Sequence, residues 1–204
     1  MKIAEKVTYG LVFLFAIIGI YFAYTDMAYF EGTYVREDGF IEWLTVVALL
    51  SGSFLAFYRA AILKVFRGPW FSFCLVVLGC LFFFGAGEEI SWGQRIFDIQ
   101  SSDFFMTHNS QGETNLHNLV VGGKKINKII FGTLLGIFVG VYFLILPFVY
   151  RKVEKVKKLI DSCAIPVPKY IHIVFVLIVV GIVEIIGLAA DGHGKKGEIM
   201  EFGL

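Results

Sequence analysis

Two short polar strings hold the residue types from which a site could be built. The first is Gly87-Glu88-Glu89-Ile90-Ser91-Trp92-Gly93-Gln94-Arg95, directly after the apolar run Leu81-Phe82-Phe83-Phe84. Two carboxylates, an amide and a guanidinium therefore stand where a chain leaves hydrocarbon. Ionisable groups at that depth are costly and face a protein interior or a wet cavity. The second string is Asn109-Ser110-Gln111-Gly112-Glu113-Thr114-Asn115-Leu116-His117-Asn118. Its Glu113 and His117 are spaced i and i+4, which a helix would bring to one face. Such a pair holds a divalent metal ion when further ligands arrive, and Glu88 or Glu89, with His108, are candidates. The expected metal set is Glu89, Glu113 and His117. Without a metal, Glu88, Glu89, Glu113 and His117 have the chemistry of general acids and bases. The structural alternative uses the same residues. Arg95 neutralises a carboxylate, and Asn115, His117 and Asn118 brace a short interfacial helix.

The elements that must position these groups follow from composition. Of 204 residues 57% are hydrophobic and only 17% charged, with a mean hydropathy of +0.76. A soluble domain has about 25% charged residues. Here the charges cluster between apolar runs, as in a polytopic membrane protein. The fold class expected is an all-α bundle of five transmembrane helices, forming one integral membrane domain over 1–204. The spans are Val7 to Tyr24, Phe40 to Tyr58, Pro69 to Gly87, Ile129 to Tyr150 and Tyr170 to Ala190. The N-terminus lacks a good cleavage site and reads as an uncleaved first span. A long extracytoplasmic connection between the third and fourth spans carries the motifs. Within it, Ser101-Ser102-Asp103 before Phe104-Phe105-Met106 predicts a short capped helix in the interface.

Orientation follows from the basic residues. An inside N-terminus places 11 of the 18 Lys and Arg in the cytoplasm, with only Glu5, Glu154 and Asp161 among the acids. The outer side holds the other 7 basic residues and, leaving aside Glu184 within a span, 13 acids. Lys124, Lys125 and Lys128 run against this bias. Trp43 and Trp92 fall at the outer interface and Trp70 at the inner one. Glu184 lies roughly 21 Å along the fifth span at helical rise. Glu42, Glu88, Glu89, Glu184 and Asp191 thus converge on the outer level, where one cavity lined by Glu88 or Glu89, Glu113, His117 and Glu184 is expected. Gln94, Arg95, His108, Asn118, Glu184 and Asp191 complete the expected polar network. His193 reads as an exposed tail residue and His172 as an interfacial one at the opposite face.

Gly132, Gly136 and Gly140 form a small-xxx-small stripe, which predicts close helix approach. Gly79, Gly85, Gly87 and Gly93 invite the same reading less strongly. Cys74 and Cys80 lie too far apart along one helix to bridge, and Cys163 falls on the other side of a later span. No CxxC pattern is present. A net charge of +1 and the absence of a basic patch interleaved with aromatics give no sign of nucleic-acid binding.

The strings Glu88-Glu89-Ile90-Ser91-Trp92-Gly93-Gln94-Arg95 and Gln111-Gly112-Glu113-Thr114-Asn115-Leu116-His117-Asn118 resemble those of an uncharacterised family of bacterial inner-membrane proteins. The resemblance covers Gly85 to Gly123 and implies a bacterial inner membrane and a shared site, but no reaction. Membrane proteases of the CAAX-processing type carry EExxxR, then FxxxH and a further His motif. Here Arg95 follows Glu88-Glu89 two residues late, Phe104-xxx-His108 comes too soon to lie on the next span, and the third motif is not evident.

Two functions fit these residues. One is a metal-assisted or acid–base hydrolase acting on a lipid, lipid-linked or membrane-peptide substrate. The other is a non-enzymatic sensing or scaffold subunit of a membrane stress or defence assembly. In either case membrane lipid, and a second copy or a partner membrane protein, are the expected partners. A third reading, a proton or cation pathway through Glu184 and Glu88, needs polar groups across the bilayer, and the inner halves of the spans are apolar. The discriminating feature is whether the carboxylates and His117 meet around open volume or close on Arg95, Gln94 and Asn118.

Overall fold

The computed structural model describes residues 3–36, 39–121, 124–125 and 134–189. Asp191, His193, Gly132 and Lys128 lie outside the described residues. The described chain is mostly helical, and its contacts fall into two compact units, Met1–Thr45 with Lys169–Leu204 and Val46–Pro168. Three helices, Glu5–Thr25, Phe40–Glu89 and Leu135–Lys152, are long and apolar enough to cross a membrane, and Tyr170–Ile186 is a shorter apolar helix.

In the first unit α1 (Ile3–Thr25) packs along α8 (Tyr170–Ala189). Val179, Val183 and Ile186 recur at helical spacing and are fully buried against Val12 and Ala23. Asp26 ends α1 and caps α2 (Met27–Tyr29) by accepting the Tyr29 amide. A π-helical turn, Phe30–Tyr34, then folds Phe30, Tyr34 and Val35 into the core. The Tyr34 hydroxyl donates to the Phe15 carbonyl at 2.6 Å, and burial pushes its phenol well above the usual range. At the start of α8, Lys169 pairs with Glu5 at 2.5 Å and His172 lies 3.9 Å from the same carboxylate. Glu184 lies on an exposed face of α8, and Glu42 is buried in the first turn of the next helix. Both have interaction partners.

That helix, α3 (Phe40–Glu89), is 50 residues long. Unbroken it would measure about 75 Å, far more than a hydrocarbon core of about 30 Å. It breaks at Gly68, whose φ of 83° and ψ of 173° lie in a region reserved for glycine. Pro69 follows and has no N–H to continue the ladder. The arms 40–67 and 69–89 run antiparallel. Ser53 Oγ donates to the Gly79 carbonyl at 2.8 Å, Gly52 faces the Phe82 ring, Gly79 the Phe57 ring and Gly85 the Leu49 side chain. Ala60, Phe71 and Leu75 fill the end nearest the turn.

The second unit continues through a 3₁₀ turn (Ser91–Gly93), α4 (Asp103–His108) and a two-residue ladder of β1 (Val120–Val121) with β2 (Lys124–Lys125). Ser102 occupies the N-cap of α4, but its hydroxyl makes no capping bond. Next come α5 (Leu135–Gly140), a π segment (Val141–Ile145), α6 (Leu146–Lys152) and the short amphipathic α7 (Glu154–Ser162). The π segment precedes Pro147, where the missing N–H and the ring would disrupt a regular ladder. The glycine stripe behaves differently from the sequence expectation. An added Cβ at Gly136 or Gly140 would meet nothing within 4 Å. The close approaches belong to Gly52 and Gly79, because the hairpin arms, rather than α5, are pressed together, and to Gly87, over which Trp92 folds. Cys163, expected apart from Cys74, lies near it, and the adjoining Ala164 packs against the Ala60, Phe71 and Leu75 cluster.

Candidate functional site

The second arm of α3 delivers Glu88 to the start of a tight turn. Ile90 leaves helical geometry, and Ser91, Trp92 and Gly93 follow with φ of 46°, 56° and 76°. Glycine adopts such angles freely, but Ser91 and Trp92 each bear a strain of about 1–3 kcal/mol. Something must hold them there. Trp92 folds back over Gly87, where a Cβ would come within 2.9 Å of the ring. The bare backbone of Gly87 thus lets the indole Nε1 reach Glu88 Oε1, to which it donates at 2.9 Å.

The opposite wall is the loop 109–119, closed by an antiparallel bridge between Asn109 and Leu119. Asn109 is its hub. The side-chain amide donates to the Asn115 carbonyl at 3.0 Å and to Asn115 Oδ1 at 2.8 Å, while Oδ1 accepts the Gln111 and Glu113 amides. Gly112 takes the turn at φ 71°. Backbone-binding Asn and Asp side chains favour loops over helices. This replaces the expected helical Glu113–His117 face. Both residues reach the site, but on a stitched loop.

The two walls meet around two carboxylates. Glu88, 2% exposed, accepts the Leu116 and His117 amides on Oε2 at 2.6 and 3.1 Å. His117 Nδ1 lies 3.7 Å from the same oxygen. Asn118 Nδ2 lies 3.1 Å from His117 Nε2 and 2.8 Å from Gln111 Oε1, donating one hydrogen to each. Nε2 is then the acceptor, and the imidazole presents Nδ1–H to Glu88. Glu113 Oε2 accepts from Arg95 Nη2 at 2.6 Å, Ser91 Oγ at 2.7 Å and Asn115 Nδ2 at 3.3 Å. Ser91 Oγ, fully buried, also accepts from Asn115 at 2.8 Å. Gln94 ties the walls again, donating to Ser101 Oγ and accepting the Thr114 amide, each at 2.7 Å.

The structure thus brings together Glu88, Gln94, Arg95, Glu113, His117 and Asn118. Glu89 is half-buried and has a partner of its own. His108 stays apart, exposed on α4, stacked on Phe104 and 3.0 Å from the Phe104 carbonyl. Glu184 and Glu42 belong to the first unit. Ser91 and Asn109, which had no assigned role in the sequence reading, hold the cluster together with Trp92, expected at the outer interface, and Asn115, expected to brace a short helix. The density of Asn and Gly in the second string was the available signal.

The metal set Glu89, Glu113 and His117 does not assemble. Among the described residues no group of three or more His, Cys, Asp or Glu side chains is placed to hold an ion. Glu113 is turned toward Arg95 and Ser91, and His117 toward Glu88 and Asn118. Two overlapping clefts, of about 310 and 400 Å³, lie beside Arg67 and Asp161 and include no residue of the cluster. Among the described residues the one buried side-chain polar atom without a hydrogen bond is Ser72 Oγ, on the helical hairpin.

No family model, curated protein or solved structure matches the chain.

Proposed function

We propose that this protein is a non-enzymatic integral membrane subunit whose 88–119 region forms a rigid cap used for recognition or support within a membrane assembly. One observation carries the reading: the polar groups of both motifs are spent on one another. Glu88 accepts three hydrogen bonds and Glu113 three, all from donors inside the cap. A catalytic carboxylate needs substrate access, and Glu88 is buried beneath the loop. The outward side of the cap is instead apolar, with Phe97, Phe104 and Met106 all more than half exposed. Such side chains suit the membrane interface or a partner's surface.

The proposed setting is a bacterial inner membrane, with five crossings, the N-terminus in the cytoplasm and the cap outside. It is supported by the reversal at Gly68, which makes two crossings of α3, by the apolar helices, and by the Lys/Arg distribution. The likeness of the motif strings to the uncharacterised bacterial family points the same way.

The hydrolase reading keeps one supporting observation, the strained backbone at Ser91, because strain gathers at active sites. The melting of Glu88→Gln and Glu113→Gln in detergent separates the two. Fastening carboxylates stabilise, so both variants should melt earlier and expose 109–119 to protease. Catalytic carboxylates commonly cost stability. Variants that melt like the parent, or later, would overturn the cap reading.

A further inference from the structure

We propose that the cleft between the turn of the α3 hairpin and α7 binds the headgroup phosphate of an anionic membrane lipid. Arg59, Leu63 and Arg67 follow one another at i, i+4 and i+8 on the first arm, so two guanidiniums share a helix face about 12 Å apart along the axis. Lys158 of α7 stands across the cleft from Arg67 and Trp70. The floor is apolar, made by Leu63, Phe71, Ile160 and Ala164. Cations above an apolar floor match a lipid, whose phosphate sits just above its glycerol and acyl chains.

The site is partly built in advance. Arg67 is held over the Phe71 ring at 4.6 Å and donates from Nη2 to the Asp161 carbonyl at 3.1 Å. A guanidinium has five N–H donors in a rigid fork, so others can turn to a ligand. The single acid in the lining, Asp161, accepts from the Tyr150 hydroxyl at 2.7 Å. Arg59, Arg67 and Lys158 leave a positive balance.

The surroundings favour a lipid over a free phosphate. Val65, Phe66 and Trp70 flank the turn at 87%, 81% and 58% exposure, which suits acyl chains. α7 carries Lys155, Lys157 and Lys158 on an amphipathic helix, the sequence type drawn to anionic leaflets. The inner leaflet supplies such lipids on the side where this face lies in the proposed orientation.

The test uses the full chain in neutral detergent. Phosphatidylglycerol, phosphatidylcholine and inorganic phosphate are titrated separately while melting is followed, and native mass spectrometry counts retained lipid. Phosphatidylglycerol should raise the melting temperature and stay bound, with the other two inert at equal concentration. Lys158→Gln and the pair Arg59→Gln/Lys158→Gln leave Arg67 and its contacts intact. The pair should weaken apparent affinity roughly tenfold or more, from about one kcal/mol per lost charge. Lys155→Gln, outside the cleft lining, is the control and should match the parent. Equal shifts from both lipids, an equal shift from inorganic phosphate, or undiminished binding by the Lys158→Gln and paired variants would overturn the proposal.

Discussion

Glu88 is the residue on which the cap turns. Its three donors, the Trp92 indole and two backbone amides, all point at a carboxylate with almost no water. Glutamine offers one acceptor oxygen and one amino group, so at least one buried N–H would then face another donor. Glu88→Gln should lower stability by about 1–3 kcal/mol, read as an earlier melt in detergent. Gly87 supports the same contact by its lack of a side chain. Gly87→Ala sets a methyl within 2.9 Å of the indole ring and should cost about 1–3 kcal/mol through overpacking. Trp92→Phe removes the donor to Glu88 together with part of the ring that covers Gly87. If the two act through one contact, Gly87→Ala combined with Trp92→Phe should lose less than the sum of the two single losses, which a double-mutant cycle measures.

Among the elements, the α3 hairpin depends on one backbone position. Gly68 combines φ 83° with ψ 173°, a conformation that costs other residues about 1–3 kcal/mol. Gly68→Ala should therefore destabilise the hairpin by that amount, although nothing crowds the added carbon. The contrast between the two glycine groups gives a second measurement. Gly79→Leu must displace the Phe57 ring, which lies 2.8 Å from an added Cβ, and should cost about 1–3 kcal/mol or more. Gly136→Leu enters open space and should stay within about 0.5 kcal/mol of the parent. Thermal melts of the two variants side by side test which glycines hold helices together. Cys74 and Cys163 offer a check on the placement of the segment after α7. The two residues are neighbours, so a short thiol-specific cross-linker should join them within one chain, and Cys80→Ala should leave that link intact.

At the scale of the whole molecule the proposed membrane topology makes a direct prediction. The proposed five-crossing arrangement would put α7 in the cytoplasm and α4 outside. Cysteines placed at Lys155 and Asp103, in a chain otherwise free of cysteine, should label from opposite faces of sealed vesicles. Labelling of both from one face would remove the arrangement, and with it the inner-leaflet source of the lipid proposed for the Arg59–Lys158 cleft.

The strings around Glu88 and Glu113 were legible in the sequence because charge beside a long apolar run is too costly to be incidental. So were the helices, since hydrocarbon leaves the backbone little alternative, and the reversal near Pro69, where charge interrupts two apolar runs. Local chemistry also wrote the loop at 109–119. Its Asn and Gly residues bond their own backbone, and this defeated a helical spacing that looked sound for Glu113 and His117. Only the tertiary structure decided which groups touch. Whether Glu113 faces a metal or Arg95, whether Gly79 or Gly136 meets a neighbour, and whether His108 joins His117 depend on contacts between residues distant in sequence. A single chain of letters carries the period of a helix but not the direction in which its face will turn, because that direction is set by what packs against it.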